Sequence, residues 1–329
     1  MNLGNVGDGN GNGSGAIEAI GRAAAAALHD ELALSPKPGL VTFTSNGSHG
    51  DMDARTFMRS ISSLRPYFVR IARLGANGAG FPELERAGID AEARMLEATG
   101  GVNTHRGAIF LLGLLCASAG AIVVTHRRLT PESLRTTLIE RWGDALQRRA
   151  SRPSKLPGGI AARRLQLRSA SEEAALGFPA VFEIAIPAMR SALRRGLSRE
   201  HAQLDTLFHL MAALEDSNLA HRGGLDGLRF AQRAARRFIE IGGAADPDAL
   251  ARAEAIAADF EARRLSPGGS ADMLAAVCWM RRIGALSAID VAAVAAVADS
   301  ADSADSADSA DVAAVAAVVD VVPARLALP

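Results

Sequence analysis

Apolar side chains recur every three to four residues along most of this 329-residue chain, and no stretch alternates as a half-buried strand would. Between Ser198 and Asp216, for example, Leu204, Leu207, Phe208, Met211 and Leu214 fall at i, i+3, i+4, i+7 and i+10, one stripe of an amphipathic helix with Ser198 at its cap. The same spacing predicts helices at about 16 to 34, 53 to 74, 82 to 99, 105 to 124, 131 to 149, 160 to 175, 179 to 196, 224 to 241, 247 to 265 and 270 to 286. Pro66 and Pro187 lie inside two of these, where kinks or breaks are expected. Aromatic residues make up only 4% of the chain, which leaves sandwiches and barrels short of the side chains they pack with. The expected fold is all-α, a single-domain multi-helix bundle over residues 16–290 with its functional loops gathered at one end. A Gly/Asn-rich tail (1–15) precedes it and a low-complexity Ala/Asp/Ser/Val tail (291–329) follows.

Thirty-six basic residues balance thirty-six acidic ones, so no global field attracts nucleic acid or an anionic membrane, and any polyanion must be held locally. Cys116 and Cys278 stand alone in apolar runs, as buried thiols of a reducing compartment do. The first fifteen residues have neither the basic start nor the apolar stretch of an export signal, and a cytoplasmic protein is expected. From Gly107 to Val124 the chain runs 18 residues without a charge, just short of the ~20 needed to span a bilayer. Glycine and serine interrupt that run and His105-Arg106 abuts it, so it is expected to be a buried central helix.

Chemistry-bearing residues concentrate in the connections, where binding and catalytic groups are most often found. His105-Arg106-Gly107 and His221-Arg222-Gly223 each follow an asparagine, Asn103 or Asn218, and each is placed to open a helix. Glycine lets backbone N–H groups approach a phosphate, and the adjacent arginine neutralises its charge; local capping and a tight turn account for the same triplets. Asp51 and Asp53 precede a helix, so one is expected to cap it, while the pair also suits Mg²⁺, which takes one or two carboxylates plus substrate phosphates. Glu215 and Asp216 sit at the negative end of a helix dipole, an unfavourable place unless Asp216 or Ser217 caps the helix that follows. Lys37, between two prolines and beside Gly39, is pre-organised for an anion or is simply the tip of a stiff turn. His49 and Glu173 read equally as catalytic groups or ordinary polar residues. Walker A, dinucleotide-binding and nucleophile-elbow motifs are all absent from the sequence, as is zinc-ligand spacing.

Six segments, taken in order, resemble the triphosphoribosyl-dephospho-coenzyme A synthase family. They are Ser35-Pro-Lys-Pro-Gly-Leu-Val41, Gly47-Ser-His-Gly-Asp-Met-Asp53, Gly101-Val-Asn-Thr-His-Arg-Gly-Ala-Ile-Phe110, Gly177-Phe-Pro179, Asp216-Ser-Asn-Leu-Ala-His-Arg-Gly-Gly224 and Ser266-Pro-Gly-Gly-Ser-Ala-Asp-Met-Leu-Ala275. The stretch Thr56-Phe-Met-Arg-Ser60 through Leu64-Arg-Pro-Tyr-Phe68 looks more like the malonate decarboxylase branch than the citrate lyase branch.

The resemblance implies an all-helical transferase that joins ATP to 3′-dephospho-CoA, releases adenine, and forms 2′-(5″-triphosphoribosyl)-3′-dephospho-CoA. This product is the prosthetic-group precursor that a further transferase delivers to an acyl-carrier subunit. On this reading Lys37, Arg106 and Arg222 contact phosphate, and Asp51, Asp53 and Asp216 hold Mg²⁺ or ribose hydroxyls. Glu173 is the base for the acceptor 2′-hydroxyl, and His49, His105 or His221 protonates adenine. Gly39, Asn103, Gly107, Asn218, Gly223, Ser270 and Asp272 are further substrate contacts. Two family arginines are missing: Gly50 stands where the pattern His-Arg-Asp-Met-Asp has one, and Ser171 where Gly-Ala-Arg-Gly-Glu has the other. Either neighbours such as Arg55 or Arg168 compensate, or the activity is altered. The alternatives are ribosyl transfer to another acceptor and a non-catalytic nucleotide- or CoA-binding relative.

Overall fold

The computed structural model describes residues 10–286, and among them there are helices and turns but no strand. The helices are α1 (Asn10–Ala33), α2 (Ala54–Ala76), α3 (Phe81–Thr99), α4 (Arg106–Val123), α5 (Pro131–Ala150), α6 (Pro157–Arg164), α7 (Ala170–Ala175), α8 (Ile186–Arg194), α9 (Arg199–Ala213), α10 (Ser217–Glu240), α11 (Ala249–Ala262) and α12 (Gly268–Arg282). A π-helical turn, Ala180–Ala185, leads into α8, and a short 3-10 turn, Gly243–Ala245, separates α10 from α11.

The uncharged run forms the centre of the bundle. Helix α4 packs against α1, α2, α3, α5 and α12, and Leu111 through Ile122 are all buried. It is the one described helix long and apolar enough to cross a membrane, and 78% of that window is buried inside the protein. Small residues are needed on the α2 side because the two backbones nearly touch: a Cβ on Gly75 would lie 1.9 Å from the Ala117 carbonyl oxygen, and one on Gly120 would lie 1.9 Å from that of Ala72. Larger side chains complete the core, among them Tyr67, Phe68, Phe208, Phe238 and Trp279, all essentially inaccessible, with Phe208 and Phe238 stacked between α9 and α10. Burial of each such side chain stabilises the fold by about 1.5–3 kcal/mol. Their polar tips are satisfied, with the Tyr67 hydroxyl donating to Ile109 O (2.9 Å) and Trp279 Nε1 to Ile20 O (3.1 Å). Cys116 and Cys278 are free, buried thiols.

Several boundaries differ from the periodicity reading. Helix α1 begins at Asn10, inside the expected tail, despite the entropic cost of Gly11, Gly13 and Gly15, because each residue added to an established helix needs no new nucleus. Pro66 does not divide α2: it lies on the solvent face, where water can serve the carbonyl its ring leaves unpaired. At Pro187 the chain does change, from π turn to α8. The segment predicted as one helix over 160–175 is two, α6 and α7, separated at Leu165–Ser169 where the Ser169 hydroxyl caps α7. Helix α10 is two helical pieces joined at Gly224 (φ 62°, ψ −161°): the second is the helix expected from 224, and the piece from Ser217 precedes it. The tail at 291–329 lies outside the described residues, as do residues 1–9.

Candidate active site

The first turns of α4, α6, α10 and α12 open on one cavity of about 1340 Å³, larger than the roughly 300–1,000 Å³ of ordinary small-molecule pockets. Backbone N–H groups in a helix's first turn have no intrahelical partner; Asn103 takes that of Arg106 and Asp216 takes those of Asn218, Leu219 and Ser270, and the first-turn N–H groups not so capped are donors an anion can use. Glycine occupies much of this wall, as Gly107, Gly158, Gly159, Gly268 and Gly269. Arg106, Arg149, Arg152, Arg163, Arg168 and Arg222 also line the cavity, and apolar surface comes from Leu28, Phe57, Ile71, Phe81, Phe110 and Leu114. One cavity therefore has both the donors that suit phosphates and the apolar walls that suit a base or an aliphatic arm.

The two His-Arg-Gly triplets both reach this space, but differently. At the start of α4, Asn103 Oδ1 accepts the Arg106 N–H (3.1 Å), and the Arg106 side chain reaches back to Glu92 on α3 (2.7 Å). His105 is buried: Nδ1 pairs with the Ser60 hydroxyl (2.6 Å), the ring packs edge-on against Phe57, and Nε2 has no partner. Desolvation pushes its pKa down to about 3, so the imidazole is neutral. The second triplet falls within the first half of α10, with His221 exposed at the cavity. Arg222 spans to the neighbouring loops, donating to Ser48 O (3.1 Å), Arg264 O (3.3 Å) and His49 Nδ1 (3.0 Å). With Nδ1 accepting from Arg222, His49 Nε2 carries the proton and donates to Ser266 Oγ (3.0 Å). Burial and the Arg222 cation hold the His49 pKa down, at about 4.

Of the residues selected from sequence, the cavity brings together His49, Asp51, Asn103, His105, Arg106, Gly107, Asn218, His221, Arg222 and Asp272. Lys37, Gly39, Asp53, Glu173, Asp216, Gly223 and Ser270 are not part of its wall. Each of these has a structural engagement instead. Lys37 is buried and its ammonium donates to the Glu31 carboxylate (2.5 Å) and carbonyl (2.6 Å); Glu31, not Lys37, faces the cavity. Gly39 (φ 68°) sits where a Cβ would be 2.0 Å from Leu265 O, and a Cβ on Gly223 would press on the Leu265 side chain. Asp53 caps α2, one oxygen accepting from the Thr56 N–H (2.8 Å) and hydroxyl (2.7 Å). Glu173 is buried, accepts from Ala180 N (2.7 Å), and holds Arg168 Nη1 (2.9 Å), so it acts on the cavity through that arginine. Asp216 caps two helices at once: Oδ1 accepts from Asn218 N and Leu219 N in α10, and Oδ2 from Ser270 N and Oγ in α12.

The two arginines that neighbour the missing ones are placed differently. Arg168 lies in the wall beside Ser171, whereas Arg55 borders a separate surface depression with Asp53. Glu31 escaped the sequence reading, although it sits between Leu28 and Leu32 on the buried stripe of α1, where an acidic residue is out of place. For Mg²⁺ the acidic pair does not act as a pair, because Asp53 is committed to its cap and faces elsewhere. Asp51 alone fits: it is exposed, lines the cavity and stands 3.8 Å from His49. No cluster of three metal-ligating side chains exists among the described residues, so any divalent ion here needs donors from its substrate.

The family described as CitG: ATP:dephospho-CoA triphosphoribosyl transferase matches residues 17–290, nearly all of the helical bundle. The chain belongs to that family. It is 40% identical over 271 residues to 2-(5″-triphosphoribosyl)-3′-dephosphocoenzyme-A synthase of Pectobacterium atrosepticum, covering 79% of this chain and 87% of the relative. The protein of the same name from Klebsiella pneumoniae is 39% identical over 272 residues, covering 80% and 94% respectively. A probable synthase of Vibrio cholerae is 37% identical over 271 residues, covering 79% and 86%. No solved structure matches the chain.

Proposed function

We propose that the single cavity holds ATP and 3′-dephospho-CoA side by side, in keeping with the triphosphoribosyl-dephospho-CoA synthase activity of the family. The carrying observation is the convergence of four helix N-terminal turns, cavity-facing arginines and apolar walls on one oversized space. In this reaction the triphosphate is transferred intact, so its phosphates need clamping rather than activation. The first turns of α4 and α12, with Arg106 and Arg222, are the clamp for one substrate; Arg168, steadied by Glu173, contributes from the α7 side. Asp51 is the protein carboxylate that would hold Mg²⁺ alongside the triphosphate, and the ion would supply charge neutralisation there.

Cleavage of the bond between adenine and ribose C1″ develops positive charge on the sugar, which a nearby carboxylate stabilises. Among the histidines, His49 has both ring nitrogens engaged and His221 stands exposed, whereas His105 keeps a free Nε2. His105 is neutral, so its part with the departing base is a hydrogen bond rather than delivery of an imidazolium proton. The product feeds a transferase acting on an acyl-carrier subunit; the Thr56–Phe68 stretch favours that of malonate decarboxylase, with citrate lyase the other branch. Cytosolic substrates and two reduced thiols favour the cytoplasm.

Incubation of the purified chain with ATP, Mg²⁺ and 3′-dephospho-CoA, followed by chromatography and mass spectrometry, tests the reading. Adenine and the coupled product are expected together and only when both substrates are present. Tight ATP binding with no adenine release, or adenine release without coupling, overturns it.

A further inference from the structure

Asp272 lies in the second turn of α12 and faces the cavity. Its carboxylate is set against Gly107, in the first turn of α4. A Cβ on Gly107 would fall 1.9 Å from Asp272 Oδ2, so only glycine lets the carboxylate lie across the start of α4. The charged groups around it come from two other elements, Glu31 on α1 and Asp216 ahead of α10. Both of those carboxylates are compensated, Glu31 by the Lys37 ammonium and Asp216 by backbone and hydroxyl donors. Asp272 has no such cation.

A half-buried carboxylate in a cavity wall with no cation beside it lowers stability, and groups of this kind concentrate where chemistry uses them. The other acidic candidates are committed elsewhere: Glu173 to Arg168 and Ala180, Asp216 to two helix starts, Asp53 to its cap, and Asp51 to the solvent-facing rim. Resting on the assignment of this cavity to ribosyl transfer, we propose that Asp272 is the general base that takes the proton from the attacking 2′-hydroxyl of 3′-dephospho-CoA. The hydroxyl oxygen forms its bond to ribose C1″ as its O–H bond breaks toward Asp272. The bond from C1″ to adenine breaks with its electron pair remaining on the adenine nitrogen. Adenine takes up one proton as it leaves, equal to the one Asp272 accepts, so no further reactant is needed. Burial, followed by the Glu31 and Asp216 carboxylates, raises the Asp272 pKa well above the ordinary aspartate range, toward the working pH at which a general base is most effective.

The test compares the parent chain with Asp272→Asn and Asp272→Glu under ATP, Mg²⁺ and 3′-dephospho-CoA. Asp272→Asn should lower kcat by about 10²–10⁴-fold, as loss of general-base catalysis does. KM for each substrate and the Mg²⁺ half-saturation should stay within about threefold, because a base that acts in the transition state adds little ground-state binding. The acidic limb of the parent's kcat profile, where this carboxyl becomes protonated, should vanish in Asp272→Asn and persist in Asp272→Glu at reduced kcat. Near-parental kcat in Asp272→Asn refutes the proposal, as does a raised Mg²⁺ half-saturation with kcat intact, which would make Asp272 a metal ligand. If Asp272→Asn does not fold, parental kcat and pH profile in Asp272→Glu refute it instead. Failure of the cavity assignment looks different, since the parent itself would then release no adenine.

Discussion

Asp216→Asn separates a structural from a catalytic carboxylate. The Asp216 side chain is buried and its two oxygens serve different helices, with Asn218 N at 2.9 Å on Oδ1 and Ser270 N at 2.9 Å on Oδ2. Asparagine keeps one oxygen and turns an NH₂ group toward an amide that is itself a donor, so either orientation orphans one helix start at about 1–3 kcal/mol. The remaining bonds lose their charge assistance, a further ~1 kcal/mol. Burial raises the Asp216 pKa, and neutralising the group returns part of that desolvation cost. The expected net loss is about 2 kcal/mol, which for a bundle of this size lowers the thermal midpoint by roughly 4–8 °C. Urea and thermal unfolding followed by far-UV circular dichroism measure it. Substrate KM should rise modestly, since Asn218, Gly268 and Gly269 line the cavity beside the cap. An unchanged midpoint with kcat reduced a hundredfold or more would show that Asp216 meets the substrate directly, and would refute the double-cap argument.

Two further substitutions probe the site's supports. Glu173→Gln should loosen Arg168 and raise the KM of its phosphate-bearing substrate by about tenfold with kcat changed little, because a removed binding contact acts on ground and transition states alike; a kcat fall of 10²–10⁴ with intact binding would instead mark Glu173 as the base. His105 is neutral in the folded protein with its pKa near 3, against 6.5 for an unburied histidine, so its contribution is complete above pH 6.5 and is lost as pH falls toward 3. Its share of the unfolding free energy should therefore decline by up to about 1.4 kcal/mol per pH unit across that window. Chemical denaturation of the parent and His105→Asn should accordingly give curves that converge on acidification; a pH-independent gap between them would contradict the neutral, buried assignment.

The helices were legible because their apolar residues repeat at 3.6-residue spacing, and burial of that stripe is what makes each helix stable. Cavity-facing Arg106, Arg222 and Asp272 also lay in motifs that stand out as strings. Side-chain partners were not legible. Lys37 reads as an open anion hook until Glu31, six residues earlier, is seen to hold it. The spatial meaning of Gly107 becomes visible only when Asp272 is brought against it from α12.

Fold class, most helix positions, the buried central helix and the family motifs all follow from local pattern, since propensity, capping and hydrophobic period act over a few neighbouring residues. Whether a carboxylate caps a helix, steadies an arginine or faces the cavity depends on what remote segments set beside it: Ser270 for Asp216, Arg168 and Ala180 for Glu173, and Gly107 at the α4 start for Asp272. Burial makes those partners decisive, because a charge removed from water takes its character from whatever the fold sets beside it.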